Sequence, residues 1–237
     1  MKVIIINGSP RNQGITATTL HVLEKELLDS GVKVDFVSLA EIEMAHCLGC
    51  CSCYRTGHCC IRDDAEKLSE LIAEADGIIL GTPTYASNVS GLMKDFIDRG
   101  HFVIEQLLHG KYCVNVVTGE NYGNKDALKV LNNLVLYSGG KKCYSFAMNV
   151  PFNNTEAVRE KLTTKCNKAS QKLIIGLKKK KQYPTQTLLN NTIRIIGIRP
   201  LIKKKGSQYQ GVIDKWTKLG LWGEKSEDTY FGYYTCS

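Results

Sequence analysis

The sequence predicts an α/β protein: a doubly wound, five-stranded parallel sheet followed by a C-terminal helical extension. Three observations carry that reading. Val3 to Ile6 and Gly77-Ile-Ile-Leu-Gly81 are unbroken apolar runs, the pattern of strands buried on both faces of a parallel sheet. Each run ends in a turn rich in Gly, Ser or Thr and is followed by a helical pattern, so strands and helices alternate along the chain. With 237 residues, 43% of them hydrophobic, there is material for one full domain and an extension.

The first strand leads into Ser9-Pro-Arg-Asn-Gln-Gly14-Ile-Thr16, and then into a helix marked by Leu20, Leu23 and Leu27. A loop at the carboxyl end of a strand whose amides feed a helix N-terminus binds phosphate through free N–H groups and the helix dipole. Ser9, Thr16 and Thr18 add hydroxyls and Arg11 adds charge. The loop is neither a Walker loop nor G-x-G-x-x-G. Val32, Val34 and Phe36 alternate with polar residues, so the second strand is expected to be half exposed. Asp63-Asp64 is placed to cap a helix from about residue 65 to 75, with Leu68, Leu71 and Ile72 inward.

The third strand, 77–81, ends in Thr82-Pro-Thr-Tyr-Ala-Ser-Asn-Val-Ser-Gly91, a long loop ahead of a helix opening at Leu92. Such loops at the carboxyl ends of central strands are where open α/β sheets bind ligands. Tyr112 to Gly119 reads as the fourth strand, with the loop Glu120-Asn-Tyr122-Gly123 after it, and Cys143 to Val150 as the fifth. Three strand ends therefore carry ligand-like loops, 8–16, 82–91 and 118–123, on one edge of the sheet. From about Thr155 the text is helical. Residues 185–202 and 209–222 read as two further short helices, and the aromatic tail 230–237 is expected to pack on the parent fold or a neighbour.

Between the second strand and the helix at 65 lies Cys47-Leu-Gly-Cys50-Cys51-Ser-Cys53-Tyr-Arg-Thr-Gly-His-Cys59-Cys60, which holds six of the ten cysteines. Cys47, Cys50, Cys53 and Cys59 are spaced C-x2-C-x2-C-x5-C. A structural zinc site usually uses two cysteine pairs a dozen or more residues apart. The tight run is closer to the two-residue spacers of bacterial [4Fe–4S] proteins. Metal-free or redox-active thiols are the other readings, and Cys51 and Cys60 offer alternative ligand sets. His46, His58 and His101 are read as surface or packing residues, with His46 and His58, which adjoin Cys47 and Cys59, also placed to tune a cluster there.

The net charge of +8 is concentrated in Lys178–Lys181 and Lys203–Lys205. These runs suit either solvated helix ends or a docking face for an acidic partner. No aromatic interleaving or nucleic-acid motif accompanies them, so no nucleic-acid partner is expected. No signal-peptide pattern and no apolar run of membrane-spanning length is seen. A cytoplasmic location, where cysteine clusters bind metal or do redox chemistry, is the expectation.

Asn7-Gly8-Ser9-Pro10-Arg11 with Gly14 and Thr16 resembles the phosphate loop of flavodoxin-like NAD(P)H-dependent FMN reductases. Gly81-Thr-Pro-Thr-Tyr85 with Ser90-Gly91 and Met93-Lys94, Phe96-Ile-Asp-Arg99 resembles their flavin loop and following helix. The cysteine run followed by Asp63-Asp64 is similar to the motif of the iron–sulfur flavoproteins. The resemblance covers about the first 125 residues.

It implies non-covalent FMN, a [4Fe–4S] cluster nearby, and assembly as a homodimer or homotetramer. Ser9, Arg11, Asn12, Gly14, Ile15 and Thr16 would hold the phosphate. Pro83, Thr84, Tyr85 and Asn88 would hold the ribityl chain and ring, and Thr118, Gly119, Tyr122 and Gly123 would close the ring's other side. Cys47, Cys50, Cys53 and Cys59 would hold the cluster. Residues 1–176 would then form the FMN-binding domain and 177–237 the extension. The leading expectation is electron transfer between FMN, the cluster and an external carrier such as ferredoxin, with no catalytic acid or base and with NAD(P)H as a further donor. A cluster-free FMN or quinone reductase is the second reading. A regulatory module without turnover is the third.

Overall fold

The computed structural model describes residues 1–151 and 156–222. Its sheet has the order β2-β1-β3-β5-β6, all parallel, built from β1 (Lys2–Asn7), β2 (Lys33–Ser38), β3 (Gly77–Tyr85), β5 (Tyr112–Gly119) and β6 (Lys141–Asn149). The expected five strands become six, because β4 (Asn88–Val89) pairs antiparallel with the end of β3, Thr84 opposite Val89. The reversal uses Ala86 and Ser87 at φ of 47° and 60°. Two successive left-handed residues make the primed turn that suits a hairpin, but neither is a residue type that announces it. The aromatic tail, 230–237, lies outside the described residues.

The apolar runs form central strands because both faces are covered. Ile4, Ile6, Ile78, Leu80, Cys113 and Val117 point to one face, where α3 (Asp64–Glu74), α4 (Gly91–Arg99) and α6 (Asn124–Tyr137) cover them. Val3, Ile5, Ile79, Val114 and Val116 point to the other, under α1 (Ile15–Asp29) and α7 (Glu156–Lys179). Val3, Ile4, Ile5 and Ile6 are fully buried, and each such side chain contributes about 1.5–3 kcal/mol relative to an exposed position. As expected, Asp63 caps α3 by accepting from the Ala65 amide at 3.1 Å. Ser90 likewise caps α4, accepting from Met93 N at 3.1 Å.

Two short helices are added to this sandwich: α5 (Phe102–Glu105), whose Phe102 joins the core under α4, and α2 (Ser52–Thr56). Beyond α7 the chain runs through α8 (Pro184–Thr192), a wide π-type turn (Ile193–Ile198), α9 (Arg199–Lys205), a 3-10 turn (Gly206–Tyr209) and α10 (Gln210–Lys218). Ile198, Ile202, Val212, Trp216 and Leu221 form a small core of their own. Among the described residues no helix is long and apolar enough to cross a membrane.

Candidate functional site

The loop after β1 is folded by its own hydrogen bonds. Ser9 N donates to Asn7 Oδ1 at 3.0 Å, Arg11 N to Ser9 Oγ at 3.1 Å, and Gly14 N to Arg11 O at 3.1 Å. Thr18 N then bonds Gly14 O at 2.9 Å. The amides of Ile15, Thr16 and Ala17, the first turn of a fifteen-residue helix, are left without intrahelical acceptors. Asn7 Nδ2 is buried at the foot of the loop with no partner. Free amides, a helix N-terminus and an orphaned donor together fit a phosphate.

Arg11 lies at the surface, and Ser9 is buried beneath the loop. Both polar ends of Asn12 are engaged elsewhere, with Ser38 Oγ donating to its carbonyl at 2.9 Å and its amide donating to Glu41 Oε1 at 2.5 Å. Only its backbone remains for a ligand.

The three loops named from sequence meet. Thr16 Oγ1 and Thr118 Oγ1 lie 2.7 Å apart, both buried, and tie the first loop to the third. Gly8 N donates to Gly81 O at 2.8 Å, and Ser90 Oγ donates to Gly8 O, which ties the first to the second. Thr84 Oγ1 donates to Asn124 Oδ1, and Asn124 Nδ2 donates to Asn149 Oδ1 at 2.6 Å. Gly123 faces Ser87 closely enough that a Cβ there would stand 2.5 Å from the Ser87 Cα, which ties the second loop to the third.

Pro83 is buried, Asn88 is exposed and bonds its neighbour's amide, and Gly119 is half-buried. Tyr85 and Tyr122 stand at the same edge, 44% and 78% exposed. Exposed rings beside a phosphate cradle suit a flat heterocycle, whose faces they can cover. Sequence reasoning missed Ser90 and Asn124 as the residues that join the loops. Ser90 had a signal, a serine directly before a helix. Asn124 had none, because its partners, Thr84 and Asn149, come from two other segments.

The cysteine segment runs between β2 and α3, and His46 at its start meets Asp95 of α4. Cys47, Cys50, Cys51 and Cys60 are exposed, Cys59 is half-buried and Cys53 is buried. Arg99 and Asp63 form a buried ion pair, and Arg99 also donates to Ala45 O at 2.7 Å and to Cys59 Sγ at 3.5 Å. Asp63 accepts from Ala45 N at 2.9 Å. The segment is thereby held at both ends, just before Cys47 and just after Cys60.

Within the segment, Cys50 and Cys60 place their sulfurs 3.3 Å apart. The Ser52 amide, with Cys60 assisting, lowers the Cys50 thiol from its ordinary value. Burial pushes Cys53 up to about 12, with Glu105, Cys59 and Cys47 adding to the rise against the Tyr54 amide. Cys53 is therefore a neutral thiol here, and a metal would have to displace its proton. Among the described residues no three His, Cys, Asp or Glu side chains already converge as metal ligands. The donor chemistry nonetheless fits thiophilic iron, since the Cys53 thiol lies within electrostatic reach of Cys47 and Cys59. His46 pairs with Asp95 at 2.7 Å and His58 with Glu66, so both histidines are spoken for.

Comparison with known proteins places this geometry. Residues 1–150 match the family described as NADPH-dependent FMN reductase. An iron–sulfur flavoprotein of Clostridioides difficile (strain 630) is 37% identical over 225 residues, covering 93% of this chain and 100% of the relative. An iron–sulfur flavoprotein of Archaeoglobus fulgidus is 37% identical over 144 residues, covering 59% of this chain and 64% of the relative. Among solved structures, a flavone reductase superposes with a TM-score of 0.62 at 17% identity, covering 77% of this chain and 66% of that one, a likeness of fold. With its sheet order, its three joined loops and its cysteine segment, the chain belongs to the NADPH-dependent FMN reductase family, in the branch of the iron–sulfur flavoproteins.

Proposed function

We propose that this flavin-dependent oxidoreductase holds FMN across the three joined loops and a [4Fe–4S] cluster on the cysteine segment, and passes electrons between them and an external carrier. The meeting of the loops at one edge, centred on the Thr16–Thr118 hydroxyl pair and the free first-turn amides of α1, is the observation that carries the FMN site. The phosphate would lie on the amides of Ile15, Thr16 and Ala17, with Ser9, Arg11, Asn12 and Gly14 shaping the cradle. Pro83, Thr84, Tyr85 and Asn88 would line one side of the ring, and Thr118, Gly119, Tyr122 and Gly123 the other. Cys47, Cys50, Cys53 and Cys59 would hold the cluster.

Bound FMN exchanges electrons in pairs or singly and a cluster exchanges them singly, so the two together link pair and single-electron traffic. The chain's own part is binding and orientation. Thr84 is fixed by Asn124, which holds the 82–88 loop in register. Arg99 donates to Cys59 Sγ at 3.5 Å, which helps to fix where that sulfur stands. Donors and acceptors of this class are an external one-electron carrier of the ferredoxin type, a small molecule, or NAD(P)H. The chain would work as a homodimer or homotetramer. Residues 1–176 would carry FMN and 177–237 would form the extension.

One observation favours a second reading, a cluster-free NAD(P)H-dependent reductase of FMN or quinones: Cys50 stands against Cys60 rather than among the other three cysteines. The spectrum and composition of protein purified without oxygen decide between them. About four irons and four sulfides per FMN, with a broad absorbance that bleaches on reduction, are expected for the cluster. A plain flavin spectrum without iron removes the cluster and leaves the reductase.

A further inference from the structure

The last described helix of the extension, α10, packs against the cysteine segment. α10 lies on α2, with Gly211 over Gly57. A Cβ on Gly211 would stand 2.0 Å from Gly57 N, 2.6 Å from its Cα and 2.8 Å from the carbonyl carbon of Thr56. Backbone meets backbone here, so no side chain can swing away to make room. Beside this contact the ring of Tyr209 stacks on Tyr54 with centroids 5.0 Å apart.

α10 is also fastened to α5. Trp216 Nε1 donates to Ile104 O at 2.8 Å, and Lys215 Nζ meets the buried carboxylate of Glu105 at 2.5 Å. α10 is thus held between the main fold and the cysteines. Gly57 N bonds Cys53 O at 2.9 Å, and Cys59 follows two residues later. A cavity of 360 Å³ behind Cys59 is bounded by Gly57, Arg99 and Glu105 and closed by Lys215 of α10.

We propose that α10 is a positioning element for the cysteine segment, and that the Gly57–Gly211 seat sets where Cys53 and Cys59 stand. The extension would then belong to the metal-binding machinery rather than serve as an appendage. The iron measurement below rests on the proposed cluster, whereas the thiol measurement does not.

The test compares full-length wild type with Gly211→Ala and with Gly197→Ala, a glycine of the same extension with open space around it. Three quantities are read: FMN per chain, iodoacetamide labelling of each cysteine in metal-free protein by mass spectrometry, and iron per chain after anaerobic reconstitution. Gly211→Ala is expected to keep FMN, to label Cys53 roughly tenfold faster as local opening becomes easier, and to take up less iron. Gly197→Ala should match wild type in all three.

Unchanged labelling of Cys53 in Gly211→Ala overturns the proposal. So does labelling of Cys113 and Cys166, both fully buried in the main core, that rises in step with Cys53, since that reports general loosening. If Gly211→Ala yields no FMN-bound protein, Tyr209→Ala decides. It removes the stacked ring without a backbone clash, and it must expose Cys53 with FMN retained or the proposal fails. If wild type takes up no iron, the cluster is lost as a reading while the labelling comparison still judges α10.

Discussion

Arg99 grips Asp63 through two parallel hydrogen bonds, Nη1 to Oδ2 at 2.7 Å and Nη2 to Oδ1 at 2.8 Å, with side chains only 1% and 9% exposed. The pair joins the last turn of α4 to the cap of α3, and the cysteine segment is strung between its attachments. The same guanidinium reaches Ala45 O and Cys59 Sγ. One side chain therefore serves the fold and faces the cysteine segment.

Removing the cation should strand a buried carboxylate. Arg99→Met is expected to cost about 3–5 kcal/mol, the usual penalty for breaking one side of a buried pair. Urea denaturation of the FMN-bound protein measures it. Arg99→Lys should recover little, because an ammonium cannot reproduce the two-pronged geometry.

The same pair sets an acid limit. Burial alone would raise Asp63, but Arg99 and the amides of Ala45 and Ala65 outweigh it and hold the carboxyl below its ordinary value. A depressed folded value means that the stabilisation is complete above the unfolded carboxylate value, about 3.9. It is lost as pH falls through the folded value. Thermal midpoints measured from neutral pH down to about pH 3 should fall steeply at the acid end in wild type. Asp63→Asn should be less stable at neutral pH and show a shallower acid limb, and parallel curves for the two proteins would refute this assignment.

Gly123 offers a test of the proposed flavin loops that leaves the core alone. It sits at φ of 79°, and its missing Cβ would strike Ser87. Strain of roughly 1–3 kcal/mol is expected for a side chain forced into such a place. Gly123→Ala should therefore weaken FMN binding about tenfold or more, read from the recovery of free FMN fluorescence on dilution. Retention equal to wild type would place the flavin elsewhere.

The proposed ligand set divides the exposed cysteines. Cys50→Ser is expected to abolish iron uptake, whereas Cys51→Ser, at the left-handed cap of α2, should leave iron and the visible spectrum intact. Loss of iron in Cys51→Ser with uptake preserved in Cys50→Ser would exchange their roles.

What was legible in the sequence was local. Val3 to Ile6 declared a two-face-buried strand, Asp63 a helix cap, and Ser9 to Thr16 a loop feeding a helix N-terminus, because each signal is complete within a few neighbours. The β4 hairpin was hidden, since Ala86 and Ser87 carry none of the glycine or asparagine that usually marks a primed turn. Arg99 was seen as one residue of a family-like helix, and its ion pair was not, because a partner across the fold leaves no periodic trace. The seat of Gly211 on Gly57 was equally silent. Gly57 alone reads as an ordinary left-handed helix cap and Gly211 as a weak spot in a helix, and neither reading reveals their meeting.

The contact between Cys50 and Cys60 makes this protein a recorder of its own handling. Two sulfurs 3.3 Å apart on an exposed segment, one of them inclined to the thiolate, are ready to couple whenever oxidant arrives before metal. A batch left in air and a batch kept under argon would then be chemically different proteins with one sequence. The first would refuse iron until a reductant erased its history.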